Sequence, residues 1–156
     1  FSLHQEGFPV QRQSGFTLIE LVTVIVILGI LAAFAIPRFT GLEVQARTAA
    51  VNGLAGSVKS AAALGKALWV ANGNATATSV EFEGNQVVNV SDVSGYPTAN
   101  NAGIGAAVTD TAGYTISSSG NVMTWQLSSA DVPANCKVTY DNTNQPPEVA
   151  VNIDDC

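Results

Sequence analysis

Hydrophobic and polar positions divide the chain into four stretches. Residues 1–15 are polar and broken by Gly7, Pro9 and Gly15, the pattern of a leader and not of a folded element. From Phe16 to Ile36 the chain is apolar almost without interruption, and Glu20 is its single charge. As a helix these residues would span about 31 Å, which matches a hydrocarbon core of about 30 Å. A secretory signal is the competing reading, but its apolar part runs to only about 7–15 residues before a small-residue cleavage site. The spacing favours a retained span. Pro37 interrupts the run, and a second helical pattern follows to about Val70. There Val44, Val51, Leu54, Val58, Ala61, Leu64 and Leu68 recur every three or four positions, with Arg47, Asn52, Lys59 and Lys66 mostly between them. The first half is therefore apolar all round and the second half is amphipathic. Gly53, Gly56 and Gly65 each weaken a helix by up to about 1 kcal/mol relative to Ala, a cost suited to close packing on a sheet.

Asn72-Gly73-Asn74 predicts the helix stop. Short β-like runs follow. Val80 to Phe82 and Gln86 to Val90 flank a turn at Gly84-Asn85, and Tyr114 to Ser117 and Val122 to Leu127 flank Ser119-Gly120-Asn121. Lys137 to Tyr140 and Val149 to Ile153 enclose a loop with Pro146-Pro147. Between Val93 and Gly113 the chain reads as loop, with a short helical turn near Ile104 to Val108. No repeat of fixed period is visible.

Composition sharpens this picture. Charged residues make up 12% of the chain, against the roughly 25–35% usual for a soluble surface, and the deficit lies in the apolar run. The net charge is −6, and Arg12, Arg38, Arg47, Lys59, Lys66 and Lys137 are scattered singly. That excludes a basic nucleic-acid stripe. His4 is the one histidine and falls in the leader, so the remaining chain has no imidazole for acid–base work or metal binding. Phosphate-cradling glycine motifs are absent. Glu81 with Glu83, on one face of an expected strand, and Asp154 with Asp155 are the carboxylate pairs. The first pair reads as solvent-facing, and the second falls short of the six to eight oxygens that calcium takes. Asn74-Ala75-Thr76 and Asn89-Val90-Ser91 match a glycosylation sequon, which is a weak pattern. Cys136 and Cys156 lie beyond the membrane segment and fit a disulfide in an oxidising compartment; two unrelated buried thiols are the alternative in a cytosolic protein.

Gly15-Phe16-Thr17-Leu18-Ile19-Glu20, followed by the unbroken apolar helix, resembles the processing site of type IV prepilins and of the related pseudopilins. Gly95-Tyr96-Pro97-Thr98 and the late Cys-x-Val-x-Tyr run resemble the type IVa major pilins of the mannose-sensitive haemagglutinin group; an ordinary turn with an aromatic plug is the plainer reading. The resemblance implies an α+β pilin fold, in which a long N-terminal helix packs on a small antiparallel sheet and a disulfide closes a C-terminal loop. It implies a leader over 1–15, a membrane and filament-core helix over 16–36, its amphipathic continuation over 37–72, and a β-sheet head over 73–156. It also implies cleavage after Gly15 and methylation of the Phe16 amine by a prepilin peptidase, storage in the inner membrane, and polymerisation by an assembly platform into an extracellular pilus for adhesion or motility. No cofactor is implied.

A carboxylate in hydrocarbon costs at least about 2.5–3.5 kcal/mol and needs a partner or a function. By resemblance Glu20 meets the terminal amine of an adjacent subunit and sets the register. Within one chain it could instead pair with the Phe16 amine, and the bland reading is an acid snorkelling at the membrane edge. Negative charge in a first turn also suits the helix dipole. Gly29 and Pro37 predict local weakness, read either as a membrane-helix kink or, by resemblance, as the stretch that loses helicity in filaments. Gly29-x-x-x-Ala33 would also let helices approach closely. A bridge from Cys136 to Cys156 would add roughly 3 kcal/mol. Two rival readings share the N-terminal pattern: a pseudopilin of type II secretion, and a membrane-anchored binding domain that never polymerises.

Overall fold

The computed structural model describes residues 15–73 and 76–156, with backbone alone over 36–40. The leader expected over 1–15, His4 included, lies outside the described residues except for Gly15, and so does Asn74. The described residues fall into two compact units, divided between residues 40 and 41.

The first helix, α1, spans Leu18–Ala71 and so contributes to both units. Thr17 stands just before it, and its carbonyl accepts the Leu21 N–H at 3.2 Å, opening the helical ladder. In the first unit, the 18 residues Leu18–Ala35 have a mean hydropathy of 2.7 and none is buried. The interruption expected at Pro37 is not a break, because helical backbone continues through it. Proline withdraws one N–H from the ladder, and the bonds of the turns on either side carry the helix past it. The helix ends where expected: the Asn72 N–H bonds the Leu68 carbonyl at 3.0 Å, and Gly73 takes φ 61°, the left-handed geometry of a glycine stop.

In the second unit, α1 buries Val51, Leu54, Ala55, Val58, Ala61 and Ala62. These meet Met123, Trp125 and Leu127 of β4 (Val122–Leu127) and Val138 and Tyr140 of β5 (Cys136–Asp141) in one core. Three members of the expected stripe do not join it: Val44 and Leu64 are each 47% exposed, and Leu68 packs instead against Val80, Val88 and Val90. At 3.6 residues per turn Leu64 lies about 140° from Val51, off the buried face, and Gly65 takes the inward position. Val44 lies on the correct face, yet it stays about half exposed.

The expected single sheet resolves into two. β1 (Ser79–Phe82) and β2 (Gln86–Asn89) form a separate hairpin, whose Gly84 and Asn85 both have positive φ. Val80, Val88 and Val90 pack there against Leu68, Trp69 and Phe82. A one-turn helix, α2 (Ile104–Ala107), follows, with Ile104 fully buried. The main sheet runs β3-β4-β5-β6, all antiparallel, with β3 at Tyr114–Ser119 and β6 at Glu148–Ile153. Gly120, at φ 58°, makes the tight turn between β3 and β4. In register, Trp125 lies between Ile116 and Val138 on the helix-facing side, and Thr124 between Ser117 and Thr139 on the other. Period-two alternation thus gives one apolar and one polar face.

Gly65 bears out the expectation of close packing, since a Cβ there would stand 2.8 Å from Pro97 Cγ. Gly53 and Gly56 do not: nothing lies within 4 Å of a Cβ on either. They face outward and help line a cavity of about 560 Å³ with Ser57, Ser60, Leu64 and Phe82. The pairing of Glu81 with Glu83 on one strand face also fails. β1 ends at Phe82, and the Glu81 carboxylate accepts a bond from Asn85 Nδ2 at 2.8 Å across the turn.

Candidate assembly site

Thr17-Leu18-Ile19-Glu20 forms a reciprocal cap at the start of α1. Both the Thr17 N–H and its hydroxyl donate to Glu20 Oε2 at 2.8 Å, and the Glu20 N–H donates back to Thr17 Oγ1 at 3.3 Å. The sequence signal for it is the spacing Thr-x-x-Glu ahead of an apolar run, the pattern of a capping box, which the hydrophobic periodicity does not reveal. The bonds serve two ends at once: they satisfy orphan donors of the first turn and place a negative charge against the positive end of the helix dipole. They also give the carboxylate local partners. Phe16 precedes the cap and is 85% exposed. Gly15 is exposed, and Gly29 has open space where a side chain would stand. The side chain of Pro37 lies outside the described residues.

Thr23 Oγ1 donates to the Ile19 carbonyl at 2.7 Å. Further along α1, Ser57 and Ser60 donate to the carbonyls of Gly53 and Gly56 at 3.2 and 2.9 Å. A hydroxyl folded onto its own helix needs no water, so these positions can be dehydrated cheaply.

Cys136 and Cys156 are joined, with S–S 2.01 Å and Cα–Cα 4.9 Å, and both are buried. The expected C-terminal disulfide loop is present. Among the described residues no group of three or more His, Cys, Asp or Glu could hold a metal ion. The Asp155 carboxylate instead accepts a short bond from Asn135 Nδ2.

The Gly95-Tyr96-Pro97 turn is built as a plug. Lys66 Nζ sits 4.5 Å from the Trp69 ring centroid and 5.7 Å from that of Tyr96, and it donates to the Ser94 carbonyl. A Cβ on Gly95, at φ 72°, would collide with the Trp69 indole. The Pro97 carbonyl accepts from the buried Tyr140 hydroxyl at 2.7 Å and from Asn142 Nδ2 at 3.2 Å. Burial, with a smaller contribution from Tyr96, pushes the Tyr140 phenol well above its usual range.

Comparison with known proteins agrees with this arrangement. The family described as "Prokaryotic N-terminal methylation motif" matches residues 10–36. A type IV narrow pilus major component of Thermus thermophilus is 57% identical over 53 residues, 34% of this chain and 46% of that protein. A fimbrial protein of Eikenella corrodens is 32% identical over 142 residues, 81% of this chain and 92% of that protein. A type II secretion system core protein G of Pseudomonas aeruginosa is 49% identical over only 43 residues, 28% of this chain and 30% of that protein. The chain thus spans less than half the length of the Thermus relative but nearly all of the Eikenella one. No solved structure matches significantly. With the capped apolar helix, the sheet it covers, the closed C-terminal loop and a relative that matches along most of its length, the chain belongs to the type IV pilin family, whose members are structural and not catalytic.

Proposed function

We propose that this pilin is cut after Gly15, methylated on the freed amine of Phe16, and drawn from the inner membrane by an assembly platform into an extracellular filament used for adhesion or motility. The observation that carries this reading is the apolar stretch Leu18–Ala35, which is long enough to cross a membrane and has no buried residue. Such a surface is tolerable only in lipid or against other helices. The ordering of events follows from Glu20. Thr17 keeps its amide N–H after cleavage, so the cap survives processing. Both Thr17 bonds fall on Oε2, which leaves Oε1 for the new amine of a neighbouring subunit, an ion pair strengthened by the low dielectric. Gly29 and Pro37 supply the weak stretch where helix can be traded for reach during assembly.

Subunit packing extends onto the second half of α1. Gly53, Gly56, Ser57 and Ser60 leave an open face with self-satisfied hydroxyls, which suits the close approach of another helix.

Mass spectrometry of the mature protein tests processing. The expected product begins at methylated Phe16 and weighs two hydrogens less than the reduced chain, whereas a mature product that still carries 1–15 defeats the proposal. The match to core protein G lends weight to a secretion pseudopilin, but over only 43 residues, 28% of this chain. Imaging separates the two: long surface fibres fit the pilus, and short periplasmic assemblies fit the pseudopilin. Glu20→Ala is expected to abolish surface fibres; normal display by that variant would favour an anchored monomer.

A further inference from the structure

We propose that Arg47 is a positioning residue for the Cys136–Cys156 bridge, holding the Cys156 main chain against α1 so that the two thiols meet before the bond forms. Arg47 lies on α1, and its side chain is only 14% exposed. Its Nη1 donates to the Cys156 carbonyl oxygen at 2.9 Å and reaches Asp131 Oδ1 at 3.3 Å, while Nη2 bonds Glu43 one helical turn back. One guanidinium therefore joins the helix, the connection between β4 and β5, and the far end of the disulfide loop.

The need for such a residue lies in the local topology. Cys136 is the first residue of β5 and pairs with Ile153 of β6, so the sheet fixes its position. Cys156 lies three residues beyond that pairing, past the end of β6, and the ladder does not hold it. The Asn135–Asp155 bond is a second tether beside the cysteines, but it is exposed. Arg47 is the contact that is both largely desolvated and charge-assisted, the stronger class of hydrogen bond. Because it comes from α1, this contact can hold Cys156 only after the helix has docked on the sheet, so folding favours oxidation.

The chemistry is thiol–disulfide exchange with an external disulfide such as glutathione disulfide. One cysteine thiolate attacks it and displaces a glutathione thiolate, forming a mixed disulfide. The second cysteine thiolate attacks the protein sulfur of that mixed disulfide and releases the second glutathione. Two electrons pass from the cysteine sulfurs to glutathione, and the two cysteine protons leave to solvent as the two glutathione thiolates are protonated. The equilibrium depends on the fraction of reduced molecules in which Cys156 is already held in place. In the oxidised form the bond itself holds it, so Arg47 acts mainly on the reduced side.

The test is a glutathione redox titration of the full chain, unassembled in detergent micelles, reading the effective concentration of the two thiols. Arg47→Met is expected to lower it about tenfold. Arg47→Lys keeps the charge but loses the fork and should lower it about threefold. Asp131→Asn removes only an ion pair to an 83% exposed carboxylate and should stay within about twofold of the parent. Native fold in each oxidised variant is checked by near-ultraviolet circular dichroism of the tryptophans. An unchanged value for Arg47→Met overturns the proposal, as does a loss for Asp131→Asn equal to that for Arg47→Met. If Arg47→Met fails to fold, Arg47→Lys decides, and equality with the parent overturns the proposal. The measurement is made on single subunits, so a negative result leaves the filament reading intact.

Discussion

Two stretches of the same helix, Leu18–Ala35 and Val51–Ala62, differ in where their apolar side chains find partners. The first is apolar on every side, and among the described residues none of it is buried. The second is apolar on one side, and Val51, Leu54, Ala55 and Val58 are buried against the sheet. Helical backbone is common to both, so secondary structure does not separate them. What separates them is the width of the apolar stripe: a one-sided stripe is satisfied by a single sheet, whereas an all-round one needs lipid or several helices. The first stretch should therefore contribute little to the stability of the head, and the second should contribute a great deal.

Truncations test that contrast most severely. Trp125 is fully buried at the centre of the core, so Trp125→Ala should cost about 3–5 kcal/mol, read as a large fall in the denaturant midpoint. Ile25→Ala, in the exposed stretch, should change the stability of the head by under about 0.5 kcal/mol and leave the midpoint almost unmoved. Equal effects would dissolve the distinction.

The glycines sharpen it at single-methyl resolution. Gly65→Ala forces a methyl against Pro97 Cγ, 2.8 Å away, and should destabilise the head by about 1–3 kcal/mol. Gly53→Ala and Gly56→Ala meet open space and should stabilise the isolated subunit by up to about 1 kcal/mol through helix propensity. The same two changes should reduce fibre yield by filling the face offered to a neighbouring helix. Thermal melts of the subunit and sedimentation of fibres read the two effects apart.

The head also carries a pH signature. Burial holds the Tyr140 phenol protonated above its ordinary range, and burial followed by the Asp110 charge does the same for Tyr114. An unfolded tyrosine titrates near pH 10, so above that point the unfolded chain has lost a proton that the folded head still holds. The tyrosine contribution to stability should be level below about pH 10 and fall as pH rises further, by up to about 1.4 kcal/mol per pH unit for Tyr140 and by less for Tyr114, which solvent screens. Tyr140→Phe should flatten the decline, at the cost of the hydrogen bond to Pro97. Denaturant titrations at pH 9, 10 and 11 would reveal the slope.

A more local effect lies at the cap. Thr17→Val removes the hydroxyl that bonds Glu20 and should cost about 1 kcal/mol of helix stability at that end, with no change in the denaturant midpoint of the head. Fibre yield should fall, since Glu20 keeps only the Thr17 N–H of the two bonds that fix its carboxylate.

Periodicity by itself determined a great deal of this protein. An all-round apolar run with one acid, a one-sided helical stripe after it, glycine-marked hairpins and two late cysteines set the element order, because each rests on local spacing that a helix or strand obeys wherever it sits. The Thr17–Glu20 cap was equally local and could have been read from its spacing. Tertiary structure decided what depends on which surfaces meet. It separated the β1–β2 hairpin from the main sheet, left Val44 and Leu64 uncovered, and turned Gly53 and Gly56 outward while pressing Gly65 on Pro97. It also brought Arg47 to Cys156, 109 residues away in sequence. A contact between distant segments depends on how both elements are placed, and no window of neighbouring residues carries that information.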